Sequence, residues 1–208
     1  MSNSLDRAFF QRDPLTCARE LIGCELVWKG CAGIIVETEA YAAVGDEAAH
    51  TFNRPSARQF VADHQPGAAY VYFNYGMYWL FNVLVKGGSE DGFVLIRALE
   101  PVRGLDRMLE RRFPGKPPAG VPIHALCSGP GKLTISLGID GRDHGQDLCR
   151  HRTMGFRRSG SAQAASWVSD LRVGITKSAD FPWRFLAPEN RFVSAKLGAP
   201  GKSAKTRR

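Results

Sequence analysis

The stretch GIIVETEAY, residues 33–41, decides the fold because it predicts a half-apolar β-strand that carries two carboxylates. Side chains alternate along a strand, and we expect a mainly apolar face with Ile34, Val36, Thr38 and Ala40. The opposite face is expected to carry Ile35, Glu37, Glu39 and Tyr41. Two carboxylates on a partly apolar strand are costly to bury without a use. The pattern therefore predicts either a functional site or a solvated face of the strand.

An aromatic stretch downstream, Ala68–Val85 (AAYVYFNYGMYWLFNVLV), predicts a β-hairpin and favours the functional interpretation. Asn74-Tyr75-Gly76 suits a tight turn at the tip, where glycine is a common residue. We expect Tyr72 and Trp79 to lie near one another across the two strands. A tyrosine at the tip either folds back onto the sheet or contacts a partner.

The remaining segments predict further short elements. Asp13-Pro14 predicts an N-cap followed by the first helical residue, and Gly23 predicts the end of that helix. Residues 42–67 are predicted to be an irregular, polar connection interrupted by proline and glycine. Residues 93–99 and 167–175 are predicted to be strands.

The composition indicates a soluble globular protein. The chain has 208 residues, 44% of them hydrophobic, and contains no apolar run long enough for a membrane span. Its start lacks the apolar core of a signal peptide, so we expect a cytoplasmic location. Five cysteines without a CxxC motif favour free thiols over a zinc site. The formal net charge of +8 fits a polyanionic partner.

Short motifs follow one another along most of the chain. They are Val36–Tyr41, Asp46, His50, Tyr70–Tyr72, Tyr75–Tyr78, Leu95–Pro101, Ser128–Leu133 and Pro182–Phe185. In sequence and order they resemble the alkyladenine (3-methyladenine) DNA glycosylase family, over residues 15–194. The resemblance implies an α+β fold: a single mixed domain, residues 1–197, with a curved, mainly antiparallel β-sheet, flanking short helices and a protruding β-hairpin. A basic tail, residues 198–208, is expected to be disordered.

The resemblance also implies a catalytic centre. Glu39 would be the general base that activates water, and Arg97 would position Glu39 and the water. Glu37 is interpreted as structural support, because the base of the family matches the second glutamate. The residues implied to bind the flipped base are Tyr41, His50, Tyr72 and Asn82.

The implied partner is double-stranded DNA that contains damaged purines, bound by a monomer without cofactor or metal. Tyr75 would intercalate between base pairs, and Arg58 and Lys132 would contact the DNA backbone. The segment that contains Lys132 opens a predicted helix whose free N–H groups could hold a phosphate, although its spacing is not that of a P-loop. The implied lesions are 3-methyladenine, hypoxanthine and ethenoadenine, removed without a lyase step in a nucleoid-associated location.

The chain departs from the family pattern at Ala43-Val44, Gln59 and Ala62-Asp63. These changes keep open a catalytically altered module that binds lesions without excising them. A second alternative is a glycosidase-like hydrolase, since Glu37 and Glu39 would lie roughly 6.6–6.8 Å apart along a strand, near the separation in inverting enzymes. A metallohydrolase that uses Glu37, Asp46 and His50 is a further alternative.

Overall fold

The computed structural model describes residues 3–115, 120–159 and 166–198. In this part of the chain the strands are β1 (Glu25–Trp28), β2 (Cys31–Ala42), β3 (Ala69–Asn74), β4 (Tyr78–Val85), β5 (Gly92–Arg103), β6 (Met154–Arg157), β7 (Val168–Asp170) and β8 (Arg184–Leu186). The helices are α1 (Arg7–Phe10), α2 (Pro14–Leu21), α3 (His50–Asn53), α4 (Pro55–Asp63), α5 (Leu105–Arg112), α6 (His124–Cys127) and α7 (Pro130–Leu137), with a 3-10 turn at Gly141–Asp143. The predicted basic tail lies outside the described residues except for position 198.

The strands form a curled antiparallel sheet, which confirms the predicted α+β fold with short flanking helices. Its order is β3-β4-β5-β2-β1-β6, and β8 pairs with both β2 and β7. The long strand β2 is hydrogen-bonded on both edges: β5 follows one edge, and β1 and β8 follow successive parts of the other. The two glutamates therefore lie on a central strand rather than on an exposed edge.

Helix α2 fixes one face of β2. As predicted, Asp13 caps this helix, because its carboxylate accepts a backbone N–H of the first turn at 2.8 Å. The Thr38 hydroxyl donates to the carbonyl oxygen of Ala18, in α2, at 2.8 Å. Since neighbouring side chains on a strand alternate, this contact directs Glu37 and Glu39 to the opposite face.

The predicted alternation along the whole of residues 33–41 is wrong. Ile35 and Ala40 both pack in the main core, whereas Val36 packs in a smaller cluster. The cause is irregular pairing between β2 and β5, which has register shifts on both sides of Glu37. Val36 and Glu37 consequently both face the segment 185–194. Such irregularities are frequent beside functional sites because they redirect side chains.

The aromatic hairpin has the predicted tight turn. Tyr75 and Gly76 have φ angles of +49° and +67°, and the N–H of Met77 donates to the carbonyl oxygen of Asn74 at 3.0 Å. Two consecutive positive φ angles are characteristic of the type I′ turn that matches the twist of a hairpin. The turn holds Tyr75 at the tip, where 77% of the residue is exposed.

The predicted proximity of Tyr72 and Trp79 as a cross-strand pair is wrong. Tyr72 lies opposite Leu80, and Trp79 lies opposite Phe73, with 4.9 Å between the ring centroids of Phe73 and Trp79. The tip turn sets this register, and a shift of one residue moves each side chain to the other face of the hairpin. Tyr72 and Trp79 are therefore separated by the hairpin itself.

The prediction that residues 42–67 form an irregular connection is wrong in part, because the connection contains α3 and α4. Neither helix has a side-chain N-cap hydrogen bond, so the sequence lacks the usual signal for a helix start. Helix α4 packs through Ala57 and Phe60, which belong to a cluster beneath the hairpin. These helices bring His50 to the inner side of the connection.

The five cysteines form no disulfide, and four of them are buried. Burial raises the pKa of Cys17 and of Cys127 to about 12, so both thiols stay protonated at neutral pH. In the part of the chain that the structure describes, no helix combines the length and apolar character needed to cross a membrane.

Candidate active site

A cavity of about 680 Å³ opens between the hairpin, the ends of β2 and β5, the start of α7 and residues 173–175. Most of the predicted site residues line it: Tyr41, His50, Tyr72, Tyr75, Asn82, Arg97 and Lys132. Glu39 and Arg58 do not line it. Apolar side chains on β4 and β5, among them Leu80, Phe93 and Leu95, complete its floor. The structure thus gathers residues from distant parts of the sequence around one opening.

Glu39 lies fully buried directly beneath this cavity. Its Oε2 accepts hydrogen bonds from the Tyr41 hydroxyl at 2.8 Å and from Nη1 of Arg97 at 3.1 Å. Its Oε1 accepts the backbone N–H of Val173 at 2.7 Å. Because Tyr41, Arg97 and Val173 all line the cavity, the carboxylate is one side chain away from the open space.

Arg97 connects the two glutamates of β2. Its Nε donates to Oε1 of Glu37 at 3.0 Å, its Nη1 donates to Glu39, and its Nη2 donates to Oγ of Ser194 at 3.3 Å. Burial would lower the pKa of Arg97, but the neighbouring Glu39 and Glu37 raise it overall. The guanidinium is therefore a fixed cation that orients the Glu39 carboxylate.

Glu37 has a different environment from Glu39. It accepts hydrogen bonds from Arg97, from Nε of Arg184 at 2.8 Å, and from the N–H and hydroxyl of Ser194 at 2.5 and 2.9 Å. Burial raises the pKa of Glu37, but the charges of Arg97 and Arg184 outweigh burial and lower it. A carboxylate that two guanidinium groups hold as an anion is a poor proton donor.

A further arginine packs against Tyr41. The guanidinium carbon of Arg172 lies 4.6 Å from the centroid of the Tyr41 ring. Arg172 forms a buried bidentate pair with Asp46 at 2.6 and 2.9 Å, and donates to the carbonyl oxygen of Ala40 at 3.0 Å. Burial and the neighbouring Glu39 raise the pKa of Tyr41, which keeps its hydroxyl protonated as a donor.

His50 lies against two tyrosines of the hairpin. Its Nδ1 is hydrogen-bonded to the Tyr70 hydroxyl at 3.1 Å, and its ring packs edge-on against Tyr72 with 4.2 Å between centroids. Burial and the positive charge of Arg54 lower the pKa of His50 to about 4. The imidazole is consequently neutral at physiological pH, and it forms one aromatic wall with Tyr72.

The other three predicted residues, Asn82, Lys132 and Arg58, differ in their position relative to the cavity. Asn82 is buried and donates from Nδ2 to the carbonyl oxygen of Tyr70 at 3.3 Å. Lys132 lines the cavity, with its Nζ 3.4 Å from the Ser128 hydroxyl. Arg58 is exposed and donates to the carbonyl oxygen of Thr51 at 2.7 Å, so it supports α3 and is not brought to the cavity.

Comparisons with known proteins identify the family of the chain. Residues 8–191 match the family described as methylpurine-DNA glycosylase. The chain belongs to this family. Proteins named "Putative 3-methyladenine DNA glycosylase" from Rhodopseudomonas palustris (strain CGA009) and Rhizobium etli are 44% and 43% identical to this DNA glycosylase, each over 190 residues. The alignments cover 91% and 90% of this chain and 87% of each relative.

The residues that depart from the family pattern lie mainly on the surface of the glycosylase. Gln59, Ala62 and Asp63 are exposed on α4, and Nε2 of Gln59 donates to Oδ1 of Asp63 at 2.8 Å. Val44 is 78% exposed. None of these four residues lines the cavity.

The three residues of the metallohydrolase alternative are not brought together. Glu37 is bonded to Arg97 and Arg184, Asp46 pairs with Arg172, and His50 is bonded to Tyr70. In residues 3–115, 120–159 and 166–198, no group of three or more His, Cys, Asp or Glu could hold a metal ion. The geometry of the glycosylase does not favour this alternative.

Sequence analysis missed Arg172 and the N–H of Val173. The predicted strand at residues 167–175 is wrong beyond Asp170, because the chain leaves the sheet as β7 ends. The buried pair of Arg172 with Asp46 accompanies this departure, and it links positions 126 residues apart. Asp46 was among the motif residues but had no assigned role, and the sequence did not identify Arg172 as its partner.

Proposed function

We propose that this DNA glycosylase excises alkylated or deaminated purines from double-stranded DNA by hydrolysing the N-glycosidic bond. 3-Methyladenine, hypoxanthine and ethenoadenine are the proposed lesions. The observation that supports this best is the buried Glu39, bonded to Tyr41 and Arg97 directly beneath an aromatic cavity. A base inside a duplex cannot reach such a site, so the nucleotide has to be flipped out at a cost of a few kcal/mol.

Tyr75 would offset that cost by filling the vacated position in the base stack. It lies at the tip of the hairpin, is 77% exposed, and borders the cavity. Stacking of a base on an aromatic side chain contributes roughly 1–3 kcal/mol. One intercalated ring and one stacking contact in the cavity are together comparable with the cost of flipping.

The flipped purine would be held between Tyr41 and the wall formed by His50 and Tyr72. The packing of Arg172 against Tyr41 and of His50 against Tyr72 holds these rings in place before the base arrives. A cationic alkylated base would gain attraction to the tyrosine π faces. A neutral His50 would add no opposing charge, and Asn82 would hydrogen-bond the edge of the base.

Glu39 would act as general base in the hydrolysis. It would take a proton from water as the water oxygen bonds to C1′ of the sugar. The C1′–N bond would break with its electron pair leaving on the base. A carboxylate has about four acceptor positions, and the three hydrogen bonds to Glu39 leave one for the water. Its negative charge would also stabilise positive charge on the sugar.

A cationic base leaves as a neutral molecule, whereas hypoxanthine has to gain a proton as it leaves. The products would be free base and an intact abasic strand, because water rather than an amine attacks the sugar. We place this reaction in the cytoplasm at the nucleoid, with a monomer acting on each lesion.

Single-turnover excision tests the proposal. Excess protein is incubated with duplexes that contain one ethenoadenine, hypoxanthine or 3-methyladenine, and free base and abasic strand are measured. General-base catalysis typically contributes about 10²–10⁴ in rate, so Glu39→Gln should lose at least about 100-fold in excision. Lesion binding should persist, because Gln keeps the shape of the side chain.

Excision that survives unchanged in Glu39→Gln would refute the assignment of the base. Binding of all three lesions by the wild type without release of any base would instead support a binding module. Strand cleavage accompanying base release would refute the absence of a lyase step.

A further inference from the structure

Arg112, which is half-buried, differs from Arg97, the other arginine that lines the cavity, because no carboxylate pairs with it among the described residues. It is the last residue of α5 and lines the cavity. Its Nη2 is 3.5 Å from the carbonyl oxygen of Ala125, and its Nε is buried without a hydrogen-bond partner. In the described part of the chain no salt bridge involves Arg112, whereas Arg97, Arg172 and Arg184 each have at least one.

Arg112 and Lys132 both line the cavity. The contact with Ala125 places Arg112 behind the chain that leads into Ser128–Lys132. Lys132 likewise forms no salt bridge in the described residues, and its one hydrogen bond is the long contact with Ser128. Two cations without carboxylates on the wall of one cavity form an electropositive surface.

This part of the cavity adjoins the hairpin. A Cβ atom on Gly131 would lie only 2.7 Å from the Tyr78 ring, so the absence of a side chain allows the ring to pack directly on the backbone. Tyr78 follows the tip turn of the hairpin. A DNA duplex into which Tyr75 intercalates would therefore pass close to the part of the cavity that carries Arg112 and Lys132.

We infer that Arg112 and Lys132 bind one phosphate of the DNA backbone next to the flipped nucleotide. The inference rests on the proposed function and adds Arg112 to it as a positioning residue. A guanidinium presents several N–H donors in one plane and suits phosphate oxygens, while an ammonium supplies a point charge. Such contacts fix the register of a protein on its DNA without reading sequence.

Salt dependence of binding tests this site. Dissociation constants of an ethenoadenine duplex are measured over a series of KCl concentrations for wild type, Arg112→Gln, Lys132→Gln and the double variant. Each phosphate contact contributes about 0.9 to the slope of log affinity against log salt concentration. We expect each single variant to lose up to about 0.9 in slope, and the double variant to lose no more than that.

Arg107→Gln is the matched control, because Arg107 lies on the same helix, is exposed and does not line the cavity. It should keep nearly the wild-type slope. Arg112→Lys retains the charge and should keep most of the slope. Thermal unfolding of each variant verifies that the fold is intact.

Duplexes in which one phosphate is replaced by an uncharged methylphosphonate identify the phosphate that is bound. They also show whether the site binds a phosphate of the DNA backbone or free inorganic phosphate. A methylphosphonate at one position beside the lesion should weaken binding by the wild type. The same methylphosphonate should not weaken binding by Arg112→Gln any further. The inference would be overturned if Arg112→Gln kept the wild-type slope, or if the losses of slope in the double variant were additive. It would also be overturned if inorganic phosphate competed with DNA while no methylphosphonate position weakened binding. The tests use binding alone, so they give an answer even if the wild type excises no base.

Discussion

Glu37→Gln separates the structural role of Glu37 from the catalytic role of Glu39. Glu37 is fully buried between Arg97 and Arg184, so the amide would leave two guanidinium groups short of one negative charge. Breaking a buried ion pair from one side costs about 3–5 kcal/mol in free energy of unfolding. Arg97 keeps Glu39, and Arg184 keeps Asp170 at 3.0 Å, so we expect the lower value, about 3 kcal/mol.

The assay combines urea unfolding with single-turnover excision at saturating protein. A domain of this size is stable by about 5–15 kcal/mol, so the variant should stay folded and excise at nearly the wild-type rate. Glu47→Gln is the control, because its ion pair with Lys177 is exposed and contributes at most about 1 kcal/mol. A loss of about 100-fold in excision by folded Glu37→Gln would refute the reasoning and support the two-carboxylate glycosidase.

The pH dependence supplies a second readout of the same variant. The pKa of Glu37 is lower in the folded protein than its ordinary value of 4.5. Its contribution to stability is therefore complete above pH 4.5 and is lost as the pH falls through the folded-state pKa. The difference in stability between wild type and Glu37→Gln should shrink in acid. A difference that stays constant would contradict the ion pairs as its origin.

Two further predictions concern the aromatic residues. Tyr75→Ser should weaken binding of a lesion duplex by about 1–3 kcal/mol in a titration. Val44 is equally exposed, so Val44→Ser is the control and should not weaken binding. Equal losses of binding in the two variants would argue against intercalation. The pKa of His50 falls from 6.5 to about 4 on folding, so the wild type should lose stability as the pH falls from 6.5 to 4. His50→Gln should lack this component in urea unfolding, and an identical pH profile would show that His50 is not buried as a neutral group.

The sequence predicted the elements whose signals are local. The Asp13 cap and the tight turn at Tyr75-Gly76 follow from residues near one another in the chain, and the structure agrees with both of them. The α+β class was implied by the family resemblance, and the structure confirms it. The candidate residues came from motifs of a family rather than from periodicity. Seven of the nine site residues found by that route line the cavity, including His50 and Asn82.

The features that sequence analysis missed depend on contacts between distant segments. The irregular pairing around Glu37 cannot be recognised from alternation, because it depends on the partner strand β5. Helices α3 and α4 lack side-chain caps, which are the usual local signal. Arg172 lies in the part of the predicted strand 167–175 that leaves the sheet after Asp170, and only the folded chain shows its pairing with Asp46.

The C-terminal quarter of the described chain completes the charge balance of the active centre. Val173, Arg184 and Ser194 donate hydrogen bonds to Glu39 and Glu37 on β2, far earlier in the sequence. Arg172 donates to Asp46, which follows β2. Without this segment, Glu37 and Glu39 would have only Tyr41 and Arg97 as hydrogen-bond donors among the described residues. Synthesis that stops early yields a sheet with an uncompensated negative charge at its centre. The active centre therefore needs residues 172–194 in place before both carboxylates have all their partners.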